Sequence, residues 1–131
     1  MTLDDNRMRA LLENYVEGWK SGRVDAVLET LADDCVITEC YGPIYRGRDQ
    51  VQRWMRTWFA EGGRVLQWDI ISFVGGRESA AVEWIFRCWW QEREFSLDGA
   101  SVVRFFDGKI EALREYATTA PLYEWQGQWR T

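Results

Sequence analysis

The sequence contains no histidine and only three cysteines. Without imidazole the chain cannot build Ser–His or Cys–His nucleophile pairs, and it lacks the commonest zinc ligand. The three cysteines, Cys35, Cys40 and Cys88, are an odd number without zinc-site spacing, and we interpret them as buried thiols of a cytoplasmic protein. We expect no metal and no cofactor, so any acid–base chemistry falls to Asp, Glu, Tyr, Lys or Cys.

Long apolar segments and basic stripes are also missing. No apolar run approaches the ~18 residues that a transmembrane helix needs, and the opening MTLDDNRMRA lacks the apolar centre of a signal peptide. The formal charge is -5, with lysine and arginine scattered along the chain. This pattern argues against nucleic acid and anionic membranes as partners.

Hydrophobic residues are abundant, at 47% of the chain, and the nine tryptophans are far more than average. The 131 residues show no break in composition, which predicts one domain over residues 1–131. The indoles either fill the interior of that domain or line a flat aromatic slot. The first outcome would leave no room for a ligand.

The first half of the chain has helical periodicity. Apolar residues recur every three or four positions over 3–21, and Gly22 follows as a stop signal. A shorter helix is predicted over 24–31, and a third over 48–61. Between them the run CVITEC, residues 35–40, predicts a strand that ends at the turn signal YGP.

The second half has the composition of strands, in the runs VLQWDIISFV, AAVEWIFRCWWQ, FSLDGASVVRFF and KIEALREYAT. We predict turns at Gly75-Gly76, at Gln91 to Glu94 and at Asp107-Gly108. Helices followed by antiparallel strands indicate an α+β fold with the helices on one face of a sheet. The aromatic tail PLYEWQGQWR is predicted to pack back on the body of the protein.

Alternation along AVEWIFRCWW separates two faces of one strand. The mixed set contains Ile85 and Trp89 and suits an outer face whose apolar area is typical of a homodimer interface. The other set is wholly apolar and should face the helices: Val82, Trp84, Phe86, Cys88 and Trp90.

The last strand leaves two alternatives open. Either Leu113, Glu115 and Ala117 face inward, or Arg114 and Tyr116 do. A carboxylate inside an apolar barrel is costly without a partner, so an inward Glu115 would indicate function.

Three stretches carry a family resemblance: YVEGWKSGRVDAVLETLADDCVI, YGPIYRGRDQVQRWM and DGKIEALREYATTAPLYEW. With the strand spacing they cover nearly the whole chain, which resembles the SnoaL-like branch of the nuclear-transport-factor-2-like superfamily. The resemblance implies a cone-shaped α+β barrel, with N-terminal helices packed on a curved, mostly antiparallel sheet around an apolar pocket. It does not specify a reaction, since the superfamily includes isomerases, cyclases, dehydratases, epoxide hydrolases and binding domains.

Two members suggest catalytic residues. In ketosteroid isomerase the pocket tyrosine and the general base fall on Tyr15 and Glu39 at the same spacing, while the protonated aspartate falls on or near Ser101, which is not an acid. In limonene-epoxide hydrolase the last aspartate of its Asp-Arg-Asp set falls on Glu115. The other two positions fall near Trp84 and Phe86, so that set is incomplete.

The leading hypothesis is a protein that binds a small hydrophobic carbonyl compound. Glu39 would act as general base, Tyr15 as hydrogen-bond donor and Glu115 as a second acid–base group of a cofactor-free isomerase, cyclase or dehydratase. The expected pocket residues are Trp19, Trp54, Trp58, Trp84, Phe86, Ser101 and Leu113.

The alternative hypothesis is a non-catalytic ligand-binding or dimerisation module of the same fold. In that case Tyr15 packs its ring and donates to a backbone carbonyl, and Glu39 is a solvated carboxylate at a strand end. Glu115 would pair with Arg104 or Arg114 on the sheet.

Overall fold

A computed structural model describes residues 3–130 of the chain. Three helices and six strands follow one another in the order α1 (Asp5–Ser21), α2 (Val24–Glu29), β1 (Leu31–Thr38), β2 (Ile44–Arg46), α3 (Gly47–Ala60), β3 (Arg64–Gly75), β4 (Ser79–Trp90), β5 (Arg93–Phe106) and β6 (Lys109–Ala117). None of the helices within these residues has the length and apolar character needed to cross a membrane.

The six strands form one curved sheet in the order β2-β1-β6-β5-β4-β3. Neighbouring strands are antiparallel except for β1 and β6, which run parallel. The helices pack against one face of this sheet and confirm the predicted α+β fold with a mostly antiparallel sheet.

The first helix begins and ends where local chemistry sets its bounds. The Asp4 carboxylate caps the N-terminus by accepting a hydrogen bond from the backbone N–H of Arg7 at 2.9 Å. Gly22 ends the helix in the left-handed conformation, with φ of 68°. The apolar stripe between these ends is buried against the sheet and supplies Met8, Leu12 and Tyr15 to the core.

One boundary and one additional strand in the first half differ from the prediction. Leu31 begins β1 instead of closing α2, because it pairs with Ile110 while the backbone N–H of Ile110 donates to the carbonyl of Thr30. The strand β2 was not predicted, and it pairs antiparallel with the end of β1. Both differences arise from pairing between distant segments, which local periodicity does not report.

The turn after β4 is shorter than predicted. Only Gln91 and Glu92 form it, both with positive φ of 52° and 64°, and β5 already begins at Arg93. The predicted Asp107-Gly108 turn has the same left-handed backbone, with φ of 51° and 76°. Two residues with positive φ are what a tight hairpin between twisted strands requires.

The prediction that the C-terminal tail packs on the body is wrong. Trp125 and Trp129 are 56% and 77% exposed and contact each other, with ring centroids 5.3 Å apart. The Arg130 guanidinium lies over the Tyr123 ring at 4.5 Å. These aromatic side chains contact one another instead of the core.

The two faces of β4 are as alternation predicts. The inward set lies against the helices or lines the interior, and Val82, Trp84 and Cys88 are almost fully buried. On the outer face Trp89 is 41% exposed. In β6 the open alternative is decided, since Leu113 is buried and Tyr116 is 53% exposed, so that Glu115 faces inward.

A buried hydrogen bond between two side chains joins the neighbouring strands β4 and β5. The indole Nε1–H of Trp84 on β4 donates to the hydroxyl of Ser101 on β5 at 2.9 Å, and both residues are 3% exposed. The bond satisfies an indole N–H that would otherwise be buried without a partner. It therefore fixes the orientation of the Trp84 ring.

Ser101→Ala should lower the free energy of unfolding by about 1–3 kcal/mol, because it leaves the Trp84 N–H buried and unpaired. Urea denaturation measures this change. Ser96→Ala, at an exposed position of the same strand, is the matched control and should change stability little. Equal stability of both variants would show that the Trp84–Ser101 bond does not support the sheet.

Candidate functional site

A cavity of about 580 Å³ lies between the helices and the inner face of the sheet. The tryptophans therefore line a space instead of filling it. Eleven aromatic side chains form most of its wall: Tyr15, Trp19, Tyr41, Tyr45, Trp54, Trp58, Trp68, Trp84, Phe86, Trp90 and Phe95.

Three of these rings stand nearly perpendicular to one another on β3 and β4. Trp68 meets Trp84 at 82° and Phe86 at 80°, with centroids 6.2 and 5.3 Å apart, in the edge-to-face geometry that aromatic rings prefer. Sequence reasoning did not single out Trp68. It pairs directly with Phe86 across the strands, so an inward Phe86 already implies an inward Trp68.

Five of the seven predicted pocket residues line this cavity, namely Trp19, Trp54, Trp58, Trp84 and Phe86. Ser101 and Leu113 do not. Leu113 lies in the apolar core, and the Ser101 hydroxyl accepts the hydrogen bond from Trp84. Both residues are buried on the inner side of their strands but do not reach the open space.

The cavity brings together the three residues proposed for chemistry. Tyr15 comes from α1, Glu39 from the loop after β1, and Glu115 from β6. The parallel pairing of β1 with β6 places Thr38 beside Arg114, so the residues that follow them in the chain, Glu39 and Glu115, reach the same region.

The Tyr15 side chain is 1% exposed, and its hydroxyl has no hydrogen-bond partner within residues 3–130. The alternative that it donates to a backbone carbonyl is therefore not realised. Burial raises the pKa of Tyr15, and the negative charges of Glu115 and Glu39 raise it further. The phenol thus stays protonated at neutral pH, and its O–H is free to donate a hydrogen bond.

Glu39 has a partner that sequence reasoning missed. The Tyr45 hydroxyl donates to Glu39 Oε1 at 2.9 Å. Burial raises the pKa of Glu39, whereas the Tyr45 hydrogen bond stabilises the carboxylate and lowers it. The signal was present in the segment ECYGPIY, where a tight turn before a short strand returns Tyr45 to the side of Glu39.

Glu115 makes no ion pair with Arg104 or Arg114, nor with any other cation in the described part of the chain. Burial raises the pKa of Glu115 to about 8, and the charge of Glu39 contributes to that rise. At neutral pH Glu115 is therefore mainly a neutral carboxylic acid that can donate a proton or a hydrogen bond.

The cavity wall also contains two thiols, those of Cys40 and Cys88. Burial raises the pKa of Cys40 and of Cys88 to about 11 in each case, so both stay protonated at neutral pH and are poor nucleophiles. No three His, Cys, Asp or Glu side chains in residues 3–130 are grouped so as to hold a metal ion.

Three helices over one face of a curved six-stranded sheet, with a cavity between the layers, define the ketosteroid isomerase-like class of α+β folds. The SnoaL-like domain family matches residues 12–113, and the chain belongs to that family. No protein with a curated function matches the chain.

Solved structures show the same fold at low identity. A LEH-like epoxide hydrolase from M. tuberculosis is 16% identical and superposes with a TM-score of 0.78, covering 87% of this chain and 84% of its own. A putative polyketide cyclase from Xanthomonas campestris is 19% identical with a TM-score of 0.71, over 86% and 90%. A hypothetical protein with a ketosteroid isomerase-like fold from Catenulispora acidiphila, in complex with trimethylamine, is 17% identical with a TM-score of 0.71, over 83% and 85%.

The raised pKa of Glu115 makes stability depend on pH. Between the ordinary value of 4.5 and about 8 the unfolded chain loses this proton while the folded chain keeps it. The free energy of unfolding should therefore fall as pH rises through that window, by at most about 5 kcal/mol for this group, and level off above it. Glu39 contributes in the same direction because its pKa is also raised.

Glu115→Gln should remove most of this fall, which urea unfolding at pH 5 and pH 8.5 measures. Glu111→Gln makes the same chemical change at an exposed position of β6 and should keep the pH dependence of the wild type. A wild-type protein equally stable at both pH values would contradict a protonated Glu115.

Proposed function

We propose that this SnoaL-like protein binds a small hydrophobic carbonyl compound and transforms it without a cofactor, by general acid–base catalysis. The reaction class is isomerisation, cyclisation or dehydration. Glu39 is the general base, and Tyr15 and Glu115 are the donors to the reacting oxygen.

One observation carries this proposal: Glu39 and Glu115 share a single aromatic cavity, but their surroundings affect their pKa values differently. Glu115 is neutral at neutral pH, with a pKa of about 8, whereas the Tyr45 hydrogen bond opposes protonation of Glu39. Two carboxyl groups whose environments separate their pKa values are suited to opposite roles, one as acid and one as base.

The chemistry begins with removal of a proton from the carbon next to the carbonyl. The Glu39 carboxylate takes this proton, and the electrons of the C–H bond move onto the carbonyl oxygen to give an enolate. The Glu115 carboxylic acid and the Tyr15 hydroxyl stabilise that oxygen by donating hydrogen bonds. Where a C=C bond is conjugated with the enolate, returning the proton to its far carbon completes an isomerisation. In a cyclisation the enolate carbon attacks a second carbonyl, and the alkoxide that forms takes the proton from Glu39. In a dehydration a β-hydroxyl leaves with that proton as water while a C=C bond forms.

The cavity wall supports an apolar, flat ligand. Indole and phenyl rings dominate it, and the charged lining residues besides the two glutamates are Arg53 and Glu61, which are exposed on and just after α3. A volume of about 580 Å³ lies in the range of small-molecule sites in proteins.

Glu39→Gln should slow the reaction about 10²–10⁴-fold, since the amide cannot accept the proton, while ligand affinity changes little. Exchange of the α-proton for deuterium in D₂O, followed by NMR over a panel of aromatic ketones, detects proton abstraction whichever product forms. Quenching of tryptophan fluorescence measures binding of the same compounds.

Glu61→Gln is the matched control, because it makes the same change at the exposed part of the cavity lining. It should retain both exchange and binding. If Glu39→Gln exchanges as fast as the wild type, Glu39 is not the base. Ligand binding without exchange in the wild type would favour the non-catalytic binding module.

We further propose that the protein is a homodimer that pairs through the outer face of the sheet. Val74, Ala81 and Val102 lie side by side there on β3, β4 and β5, and the two valines are 67% and 50% exposed. Ile71 and Trp89 add exposed apolar area to the same sheet. Exposed apolar area of this kind on the outer face of a sheet is typical of an interface.

Val102→Glu should weaken this dimer by about tenfold or more, because it places an unpaired carboxylate within the interface. Sedimentation equilibrium measures the dissociation constant. Leu122→Glu introduces the same charge at a residue of the tail that is 69% exposed and should leave association unchanged. A wild-type protein that stays monomeric at high concentration would refute the dimer.

A cytoplasmic location is also proposed. All three cysteines are free thiols in the structure, as expected where the compartment keeps thiols reduced.

A further inference from the structure

The Tyr45 side chain is held in place from two directions. Its backbone is fixed in β2 by pairing with Ile37 of β1, a residue that is fully buried. Its ring stacks on Trp54 of α3, with centroids 3.9 Å apart and an angle of 5° between the planes. Trp54 in turn contacts Trp19 of α1, so the phenol rests on a fixed aromatic support.

The support directs the phenol hydroxyl at one oxygen of Glu39. The bond from the hydroxyl to Oε1 is 2.9 Å long. Among residues 3–130 the Glu39 side chain makes no other hydrogen bond, so its Oε2 atom has no partner among them. A carboxylate held at one oxygen keeps the other available for a proton from a ligand.

Several titratable groups share the cavity with Glu39. Three lie on α1, β4 and β6, namely Tyr15, Cys88 and Glu115. Arg53 lies on α3, Glu61 directly follows that helix, and Cys40 and Tyr41 lie in the same loop as Glu39. None of them forms a hydrogen bond or ion pair with the Glu39 side chain within the described residues.

Glu115 lacks an equivalent hydroxyl donor. The backbone of Cys40 favours its ionised form, but this effect is smaller than those of burial and of the Glu39 charge, which favour the neutral form. The hydroxyl of Tyr45 therefore adds to the difference between the two carboxyl groups that burial creates, because it stabilises the ionised form of Glu39 alone.

We propose that Tyr45 is a positioning residue that favours the ionised form of Glu39 over that of Glu115, and that it presents Oε2 of Glu39 to the ligand. The significance of this role for turnover rests on the proposed function. The ionisation of the two carboxyl groups does not depend on that function, and it can be measured without a substrate. In this assignment Tyr45 acts through Glu39 and does not itself transfer a proton to the ligand.

The test is a pH titration of the glutamate side-chain carboxyl carbons by ¹³C NMR on the full chain, with Glu39→Gln and Glu115→Gln used to assign the two resonances. Interacting carboxyl groups titrate in two macroscopic steps. Tyr45→Phe keeps the stacked ring but removes the hydroxyl. The lower of the two steps should then rise by about one pH unit, and the gap between the steps should narrow.

Tyr41→Phe is the matched control, since it removes a phenol that lines the same cavity but makes no bond to Glu39. This variant should leave the pH midpoints of both titration steps unchanged. Trp54→Leu removes the stacking partner while keeping the hydroxyl, and should raise the lower step by a smaller amount. That variant decides the question if Tyr45→Phe does not fold.

Unchanged steps in a folded Tyr45→Phe protein would overturn the proposal, as would an equal rise in Tyr41→Phe. Once a carbonyl compound that exchanges its α-proton is found, the acidic limb of the pH–rate profile should move up in Tyr45→Phe by the same amount as the NMR step. If Glu39→Gln still exchanges while the NMR steps move as expected, the base assignment fails and the role of Tyr45 in setting the charge stands.

Discussion

A carboxylate loses its hydration when it enters an aromatic cavity, and Glu39 and Glu115 place two carboxyl groups in the interior of this one, away from the exposed Glu61. Neither Glu39 nor Glu115 has a cation beside it within residues 3–130. The free energy of two unpaired buried charges would be high, so one group keeps its proton and the other is stabilised by a phenol. The difference between acid and base thus follows from desolvation combined with the single hydroxyl of Tyr45.

The aromatic wall depends on contacts that lie behind it. Trp84 is fixed by the hydroxyl of Ser101, and Trp68 is fixed by its perpendicular packing against Trp84 and Phe86. Apolar side chains free to collapse would close the space, whereas rings held by edge-to-face neighbours and by a buried hydrogen bond resist it. An interior rich in tryptophan therefore remains open.

Much of this arrangement was predictable from the sequence. Alternation in β4 predicted the inner ring positions, and the family resemblance predicted that Tyr15, Glu39 and Glu115 meet. Tyr45 was missed because its role depends on β2, whose three residues are too few to give a periodic signal. Ser101 was assigned to the pocket because the family resemblance places an acid of the site on or near it, and a resemblance does not report that the hydroxyl accepts a hydrogen bond from Trp84 instead. The tail was misjudged because composition alone cannot distinguish aromatic residues that contact each other from those that contact the core.

The parallel pair of β1 and β6 has a consequence for folding. Thr38 pairs with Arg114, and the two carboxyl groups lie on the residues that follow them, in segments that are far apart in the chain. Closing so long a loop is entropically costly, and such contacts generally form late and slowly. The antiparallel strands from β3 to β5 can associate through local hairpins beforehand. Because Glu39 and Glu115 come together only where β1 lies beside β6, a protonated Glu115 removes charge repulsion from the pairing of these two strands.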